Sequence, residues 1–256
     1  MNQNGFVYLV GAGPGDPELL TLKALRLIQE ADVLVYDRLV SSGVLELVPE
    51  STERIYVGKS SGQHSLPQEE INALLVSLAQ AGRKVVRLKG GDPYIFGRGS
   101  EEALYLLANG IGFEAVPGIT SAAGCGAASG IPLTHRGLAH GVRFVTGHCR
   151  AGDDLDLNWA SLADPDTTLV VYMGTANAEA LTQNLIAAGL SPDTPAAAIS
   201  NGTLPNQRTM LTTLAALPTD LASNGFKPPT LIIIGKVVSL APELSASPAS
   251  ETMVHA

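Results

Sequence analysis

Apolar residues along this chain fall in short, nearly unbroken runs, and helix-like segments lie between them. The runs predict strands at Phe6–Val10, Val33–Tyr36, Val85–Leu88, Val142–Thr146, Leu169–Tyr172, Ala196–Ile199 and Leu231–Ile234. A strand covered on both faces reads as a continuous apolar run and not as an alternation. Strands of this kind alternating with helices predict an α/β fold built on parallel sheet. The predicted helices are Leu20–Glu30 with Thr21 as cap, and one opened by the capping box Ser65-Leu66-Pro67-Gln68 and stopped near Gly82. Three more are Arg98–Asn109, Ser121–Ser129 and Ala176–Ala188, stopped by Gly110, Gly130 and Gly189.

The pattern changes past residue 116. Pro117-Gly118 interrupts the chain, and Asn201–Thr213 reads as a turn and a strand, not as another strand–helix unit. These features predict two α/β domains: residues 1–114 with a mostly parallel sheet, and 115–241 with a mixed sheet. The segment Pro242–Ala256 is rich in Pro, Ser and Ala with little periodicity, which predicts a tail that is disordered or loosely docked. No repeat with a period of about 20–50 residues is visible.

Composition narrows the class. With 45% hydrophobic residues in 256, the chain can bury a substantial core. A formal net charge of −8 argues against nucleic acid as a partner. No apolar run reaches the ~18 residues of a membrane span, and Met1–Gly5 lacks the basic start of a signal peptide. The expectation is a cytoplasmic enzyme with no membrane partner. Cys125 and Cys149 have no metal-ligand spacing and read as free thiols.

Chemistry concentrates at residues 90–102, Gly-Gly-Asp-Pro-Tyr-Ile-Phe-Gly-Arg-Gly-Ser-Glu-Glu. They follow a strand and bring bare backbone and a carboxylate to its carboxyl end, the edge where open α/β sheets bind ligands. The loop after the first strand, Gly11-Ala12-Gly13-Pro14-Gly15-Asp16-Pro17, invites comparison with a dinucleotide fingerprint. The match is poor. Its third glycine falls too early, Pro14 and Pro17 lack the amides that would cradle a pyrophosphate, and Asp16 adds negative charge. Asp37, at the end of the second strand, stands where a ribose-binding carboxylate would. A ligand with little or no phosphate suits these loops better; an adenosine carrying an amino acid and a sulfonium is compatible with them.

Several motifs, in order, resemble the tetrapyrrole methylases, and within them the group acting on uroporphyrinogen III. They are VGAGPGDPELLTLKA (10–24), DVLVYDRLV (32–40), VGKSSGQHSLPQEEIN (57–72) and RLKGGDPYIFGRGSEE (87–102). VPGITSAAGCGAASGIPLTHRG (116–137), VTGHCR (145–150), VVYMG (170–174) and PTLIIIGKVV (229–238) follow. GAGPGDP points only to the superfamily; GRGSEE and LTHRG carry the narrower resemblance.

The resemblance implies a two-domain enzyme, usually a homodimer, with S-adenosylmethionine in the cleft between its domains. It implies methylation of uroporphyrinogen III at C2 and C7, giving precorrin-2 through precorrin-1, a step leading to sirohaem, cobalamin or haem d1. The implied cofactor contacts are Pro14, Gly90, Gly91, Asp92, Ile95, Thr120, Ser121, Tyr172, Met173, Gly202, Pro229 and Thr230. Arg98 and Glu101 are implied in catalysis and substrate binding, and Arg136, His148 and Lys59 in substrate binding. A metal is not implied, and no His or acidic cluster suggests one. At 256 residues the chain is too short for an added dehydrogenase and ferrochelatase module, so single-chain sirohaem synthesis is not expected.

The residue types suit this chemistry. Uroporphyrinogen III is a polyanion, and arginine forks bind carboxylates in bidentate fashion. Arg98 and Glu101, three apart on a helix, are placed to pair. On spacing alone that pair is a surface ion pair worth about 0–1 kcal/mol; the motif around it gives it a function. His64, His140 and His255 read as solvated or structural, and His135 as a capping or packing residue. His148, after a strand and Gly147, is the better site candidate. Competing readings are a precorrin methylase with another target carbon, a methylase of protein or RNA, a non-catalytic tetrapyrrole carrier, and a dinucleotide-dependent oxidoreductase.

Overall fold

The computed structural model describes residues 5–58, 66–148 and 155–245. Lys59, His64, Ser65, Cys149 and residues 246–256 lie outside them, so the expectations for those positions are not addressed. The chain divides into two compact units, residues 1–121 and 122–256.

The first unit holds five strands: β1 (Phe6–Gly11), β2 (Val33–Tyr36), β3 (Glu53–Tyr56), β4 (Lys84–Lys89) and β5 (Gly112–Val116). They form one sheet in the order β3-β2-β4-β1-β5, every pairing parallel. Alternate residues feed opposite cores. Val7, Leu9, Val33, Val35 and Val85 pack with helices Gln68–Gln80 and Gly99–Ala108. Val10, Leu34, Val86 and Leu88 pack with helices Leu22–Gln29 and Ser42–Glu46. Two covered faces explain the unbroken apolar runs.

The second unit holds β6 (Gly141–Thr146), β7 (Thr167–Tyr172), β8 (Pro195–Ser200), β9 (Arg208–Thr213) and β10 (Thr230–Ile234), ordered β6-β7-β10-β8-β9. β6 and β7 are parallel; β10 runs antiparallel to both its neighbours, and β8 to β9. The parallel-then-mixed organisation expected from the sequence is present. Helices Ala178–Ala187 and Leu217–Ser223 cover one face, and helix Ser121–Ala128 with Val237 and Val238 the other.

The two compact units divide after Ser121, and Gly112–Val116, which spans the expected boundary at 114/115, is a strand paired with β1. The helix opening near residue 68 has Pro67 at its N-cap, and Gln68 donates to Asn72 and Glu102; Ser65 of the expected capping box lies outside the described residues. Pro242–Ser245 is helical, within Ala241–Ser245, since Ala241 is anchored in the second core. Thr21 caps its helix as expected, its Oγ1 accepting from the Ala24 amide at 3.1 Å.

Candidate functional site

In the first sheet β4, β1 and β5 are parallel neighbours, so the loops leaving their carboxyl ends share one edge. Those loops carry Gly90-Gly91-Asp92 and Ile95 after β4, Pro14 after β1, and Thr120 and Ser121 after β5. Gly13 and Gly91 exchange backbone hydrogen bonds, 3.2 Å from the Gly13 amide and 2.7 Å from that of Gly91. Gly118 presses against both flanking loops. A Cβ there would lie 2.2 Å from the Gly91 carbonyl oxygen and 2.8 Å from the Gly11 Cα, so no other residue fits. Asp92 staples the junction: one oxygen accepts from the Tyr94 amide at 2.8 Å, the other from the Gly118 amide at 3.1 Å.

At this edge main chain packs on main chain with no room for a Cβ at Gly11 or Gly118, and the loop after β1 does not suit a pyrophosphate. The strand does not lead straight into a helix N-terminus; a short 3-10 turn, Pro17–Leu19, intervenes, and Thr21 already occupies a first-turn amide of the next helix. Asp37, needed at a ribose in the dinucleotide reading, is ion-paired with Arg87 at 3.0 Å.

Arg98 sits at the N-cap of helix Gly99–Ala108 and Glu101 in its first turn. The guanidinium grips the carboxylate with two bonds, Nε to Oε1 at 2.8 Å and Nη2 to Oε2 at 2.6 Å, with both side chains about half exposed. The Arg98 hydrogen bond draws the Glu101 carboxyl below its usual range, and the carboxylate in turn raises Arg98.

Beneath that helix lies a feature not anticipated from the sequence. Arg87 and Lys89 alternate along β4 on the face covered by helices, and both reach Glu102. Arg87 Nε and Lys89 Nζ donate to its Oε1 at 3.1 and 2.9 Å, joined by Gln68 Nε2 at 3.2 Å. All three charged side chains are at least nine-tenths buried, and Glu102 Oε2 has no hydrogen-bond partner among the described residues. Burial, with Arg87 nearby, pulls the Lys89 ammonium down despite Glu102. The available signal was the charged pair Arg87 and Lys89 inside an otherwise apolar strand.

In the second unit β10 starts where β7 and β8 end. Thr230 pairs with Ser200, and the Asn201 amide donates to the Pro229 carbonyl at 3.2 Å. Tyr172 and Met173, Gly202, and Pro229 and Thr230 therefore share one edge. His148, exposed past β6, joins it: Gly147 donates to the Tyr172 carbonyl at 2.7 Å. The Tyr172 hydroxyl accepts from the Ala122 amide at 3.0 Å. Arg136 is not brought to these strand ends. It is exposed at the tip of the His135–Ala139 turn, ahead of β6.

The profile of the tetrapyrrole (corrin/porphyrin) methylases matches residues 7–218. The chain belongs to that family. It is 58% identical over 239 residues, 93% of its length and 65% of the relative's, to an S-adenosyl-L-methionine-dependent uroporphyrinogen III methyltransferase of Arabidopsis thaliana. It is 57% identical over 240 residues, 94% of the chain and 52% of the relative, to a siroheme synthase of Acinetobacter baylyi. The chain thus spans about half the length of the siroheme synthases it matches. A crystal structure of uroporphyrin-III C-methyl transferase from Thermus thermophilus, complexed with S-adenosyl homocysteine, is 47% identical with a TM-score of 0.78. That likeness covers 92% of this chain and all of the other.

In this tetrapyrrole methylase the non-glycine residues with positive φ among those described are Phe96, Arg98, Met173, Asn201 and Thr203. Each lies in a loop leaving the carboxyl end of β4, β7 or β8. Side-chain-bearing residues avoid this conformation, and where they hold it the surroundings impose it, commonly at ligand sites. Cys125 has the opposite character: buried, with its thiol pushed up to about 12 by desolvation, it is not a nucleophile. Among the described residues no group of three or more His, Cys, Asp or Glu side chains is placed to hold a metal, and no helix is long and apolar enough to cross a membrane.

Proposed function

We propose that this chain transfers methyl groups from S-adenosylmethionine to C2 and C7 of uroporphyrinogen III, giving precorrin-2 through precorrin-1. The observation that carries this reading is the coincidence of the positive-φ residues with the loops that the family motifs assign to ligands. The glycine junction supports a ligand met by main chain and lacking a phosphate. In this reading Pro14, Gly90, Gly91, Asp92, Ile95, Thr120 and Ser121 contact the cofactor, as do Tyr172, Met173, Gly202, Pro229 and Thr230. Arg136 and His148 contact the substrate, whose carboxylates suit an exposed guanidinium. The enzyme is a homodimer.

When bound, S-adenosylmethionine supplies an electrophilic methyl on its sulfonium. The protein's task is then to hold the electron-rich pyrrole carbon in line and to manage one proton per methylation. Arg98 is too basic to accept that proton. Its fork positions an acetate or propionate of the macrocycle. A substrate carboxylate that takes the fork from Glu101 also removes what lowers the Glu101 carboxyl, which makes Glu101 the better acceptor.

Anaerobic incubation with S-adenosylmethionine and uroporphyrinogen III tests the reading, with a doubly methylated product expected. Calorimetry that finds tight NAD(P) binding and no S-adenosylhomocysteine binding would sink it. Full turnover in Arg98→Lys, with loss only in Glu101→Gln, removes the positioning role of Arg98.

A further inference from the structure

We infer that the buried Arg87–Glu102–Lys89 ion network is a positioning device, fixing the Arg98–Glu101 pair relative to the Gly90-Gly91-Asp92 loop. The inference rests on the proposed methyl transfer for its kinetic consequence, but not for its structural one.

The covalent geometry makes the connection short. Lys89 is the last residue of β4 and precedes Gly90; its carbonyl accepts from the Ala12 amide at 2.7 Å. Its main chain thus belongs to the glycine junction, while its ammonium reaches the helix through Glu102. Glu102 directly follows Glu101, and its amide donates to the Arg98 carbonyl at 3.3 Å. A carboxylate clamped by two cations of one strand sets the rotation and height of the first helical turn on the sheet. Besides this clamp, the turn is held by the Gly99 amide, which donates to the Pro93 carbonyl at 3.0 Å. Arg98 provides no side-chain cap and has φ of 58°.

The network is a poor device for stability alone. Desolvating charges costs several kcal/mol per ion, and apolar replacements of buried pairs are often neutral or stabilising. Glu102 concentrates three donors on Oε1 and leaves Oε2 buried without a partner among the described residues. That asymmetry satisfies a geometric demand, holding two cations at one point, and sacrifices hydrogen bonding. At its other end Arg87 holds Asp37 at 3.0 Å and donates to the Leu88 carbonyl at 2.9 Å, so the strand side of the clamp is rigid.

The test is the double variant Lys89→Met/Glu102→Leu, which replaces the inner pair by apolar side chains and leaves Arg87–Asp37 in place. Because Arg87 Nε loses its acceptor, the variant is expected to unfold at a modestly lower urea concentration than the parent, and to bind S-adenosylhomocysteine within about threefold of it. Amide exchange at Ser100–Glu102 should quicken about tenfold or more, and kcat should fall about tenfold or more. Unchanged exchange at those amides, or unchanged kcat, overturns the inference. Should the double variant not fold, Glu102→Gln, which keeps shape but not charge, is read by the same two measurements. If the parent itself does not methylate uroporphyrinogen III, the proposed function falls, and the exchange comparison alone decides the positioning claim.

Discussion

Gly202 offers a sharp quantitative test, because the space beside it is filled by one atom. A Cβ at Gly202 would stand 2.2 Å from Cys125 Sγ, 3.4 Å from Cys125 Cβ and 3.6 Å from Ile199 Cγ2. Non-bonded heavy atoms prefer ~3.5–4.0 Å, so Gly202→Ala lacks roughly 1.5 Å of separation from the sulfur and from nothing else. Cys125 cannot yield easily, since it is packed among Ala122, Ile131, Ala197 and Ile199. Overpacking of this kind costs about 1–3 kcal/mol, against which alanine recovers about 0.4–1 kcal/mol by stiffening the unfolded chain. Cys125→Ala deletes the offending atom, and the nearest remaining contact is tight but tolerable. The two substitutions should therefore couple favourably by about 1–3 kcal/mol in a double-mutant cycle of urea unfolding midpoints. Calorimetric titration with S-adenosylhomocysteine supplies the functional half. Affinity should drop about tenfold in Gly202→Ala and return to within about threefold in the double variant. Additivity of the two stability changes within about 0.5 kcal/mol would refute the packing argument.

Other expectations follow from single contacts. Asp92→Asn replaces one of two acceptors by a donor facing the Tyr94 or Gly118 amide, so it should cost about 1–3 kcal/mol in unfolding free energy and weaken S-adenosylhomocysteine binding in calorimetry. Arg98→Ala removes a half-exposed pair, so thermal unfolding should register less than about 1 kcal/mol while turnover of uroporphyrinogen III falls at least about tenfold. The Cys125 thiol, raised from 9.0 to about 12 by burial, keeps its stabilising contribution below pH 9 and loses it as pH rises towards the folded value. Unfolding free energy should thus decline by about 1.4 kcal/mol per unit above pH 9 on this account. Cys125→Ala, followed by urea titrations between about pH 9 and 10.5, should remove that slope.

Six of the seven strands seen in the sequence are interior strands, β6 at an edge of the second sheet being the exception. Glu53–Tyr56 and Gly112–Val116 escaped because they are the two edges of the first sheet, where solvent permits Glu53, Arg54 and Glu114. Gly110 before it and Pro117-Gly118 after it give Gly112–Val116 the look of a linker. At the ligand edges, glycines and Asp92 were legible because backbone approach and turn formation have few residue solutions. The crowding of Gly118 was not, since it depends on strands far apart in sequence arriving side by side. Arg87 and Lys89 were opaque for a related reason. Charges two apart in a strand look like a solvated face, and only the packing of helices Gln68–Gln80 and Gly99–Ala108 turns that face inward.

The junction of Gly11, Gly91 and Gly118 bears on how this protein can be altered. Because Gly118 meets Gly11 and the Gly91 carbonyl backbone against backbone, no side chain at that contact can be enlarged, shrunk or recharged. Gly11 and Gly118 leave no room for an added carbon, and Gly91 is held at φ of 70°, a conformation that side-chain-bearing residues avoid. Re-engineering this edge therefore calls for changes of strand register or loop length rather than point substitution, and screening libraries aimed at it should be built from insertions and deletions.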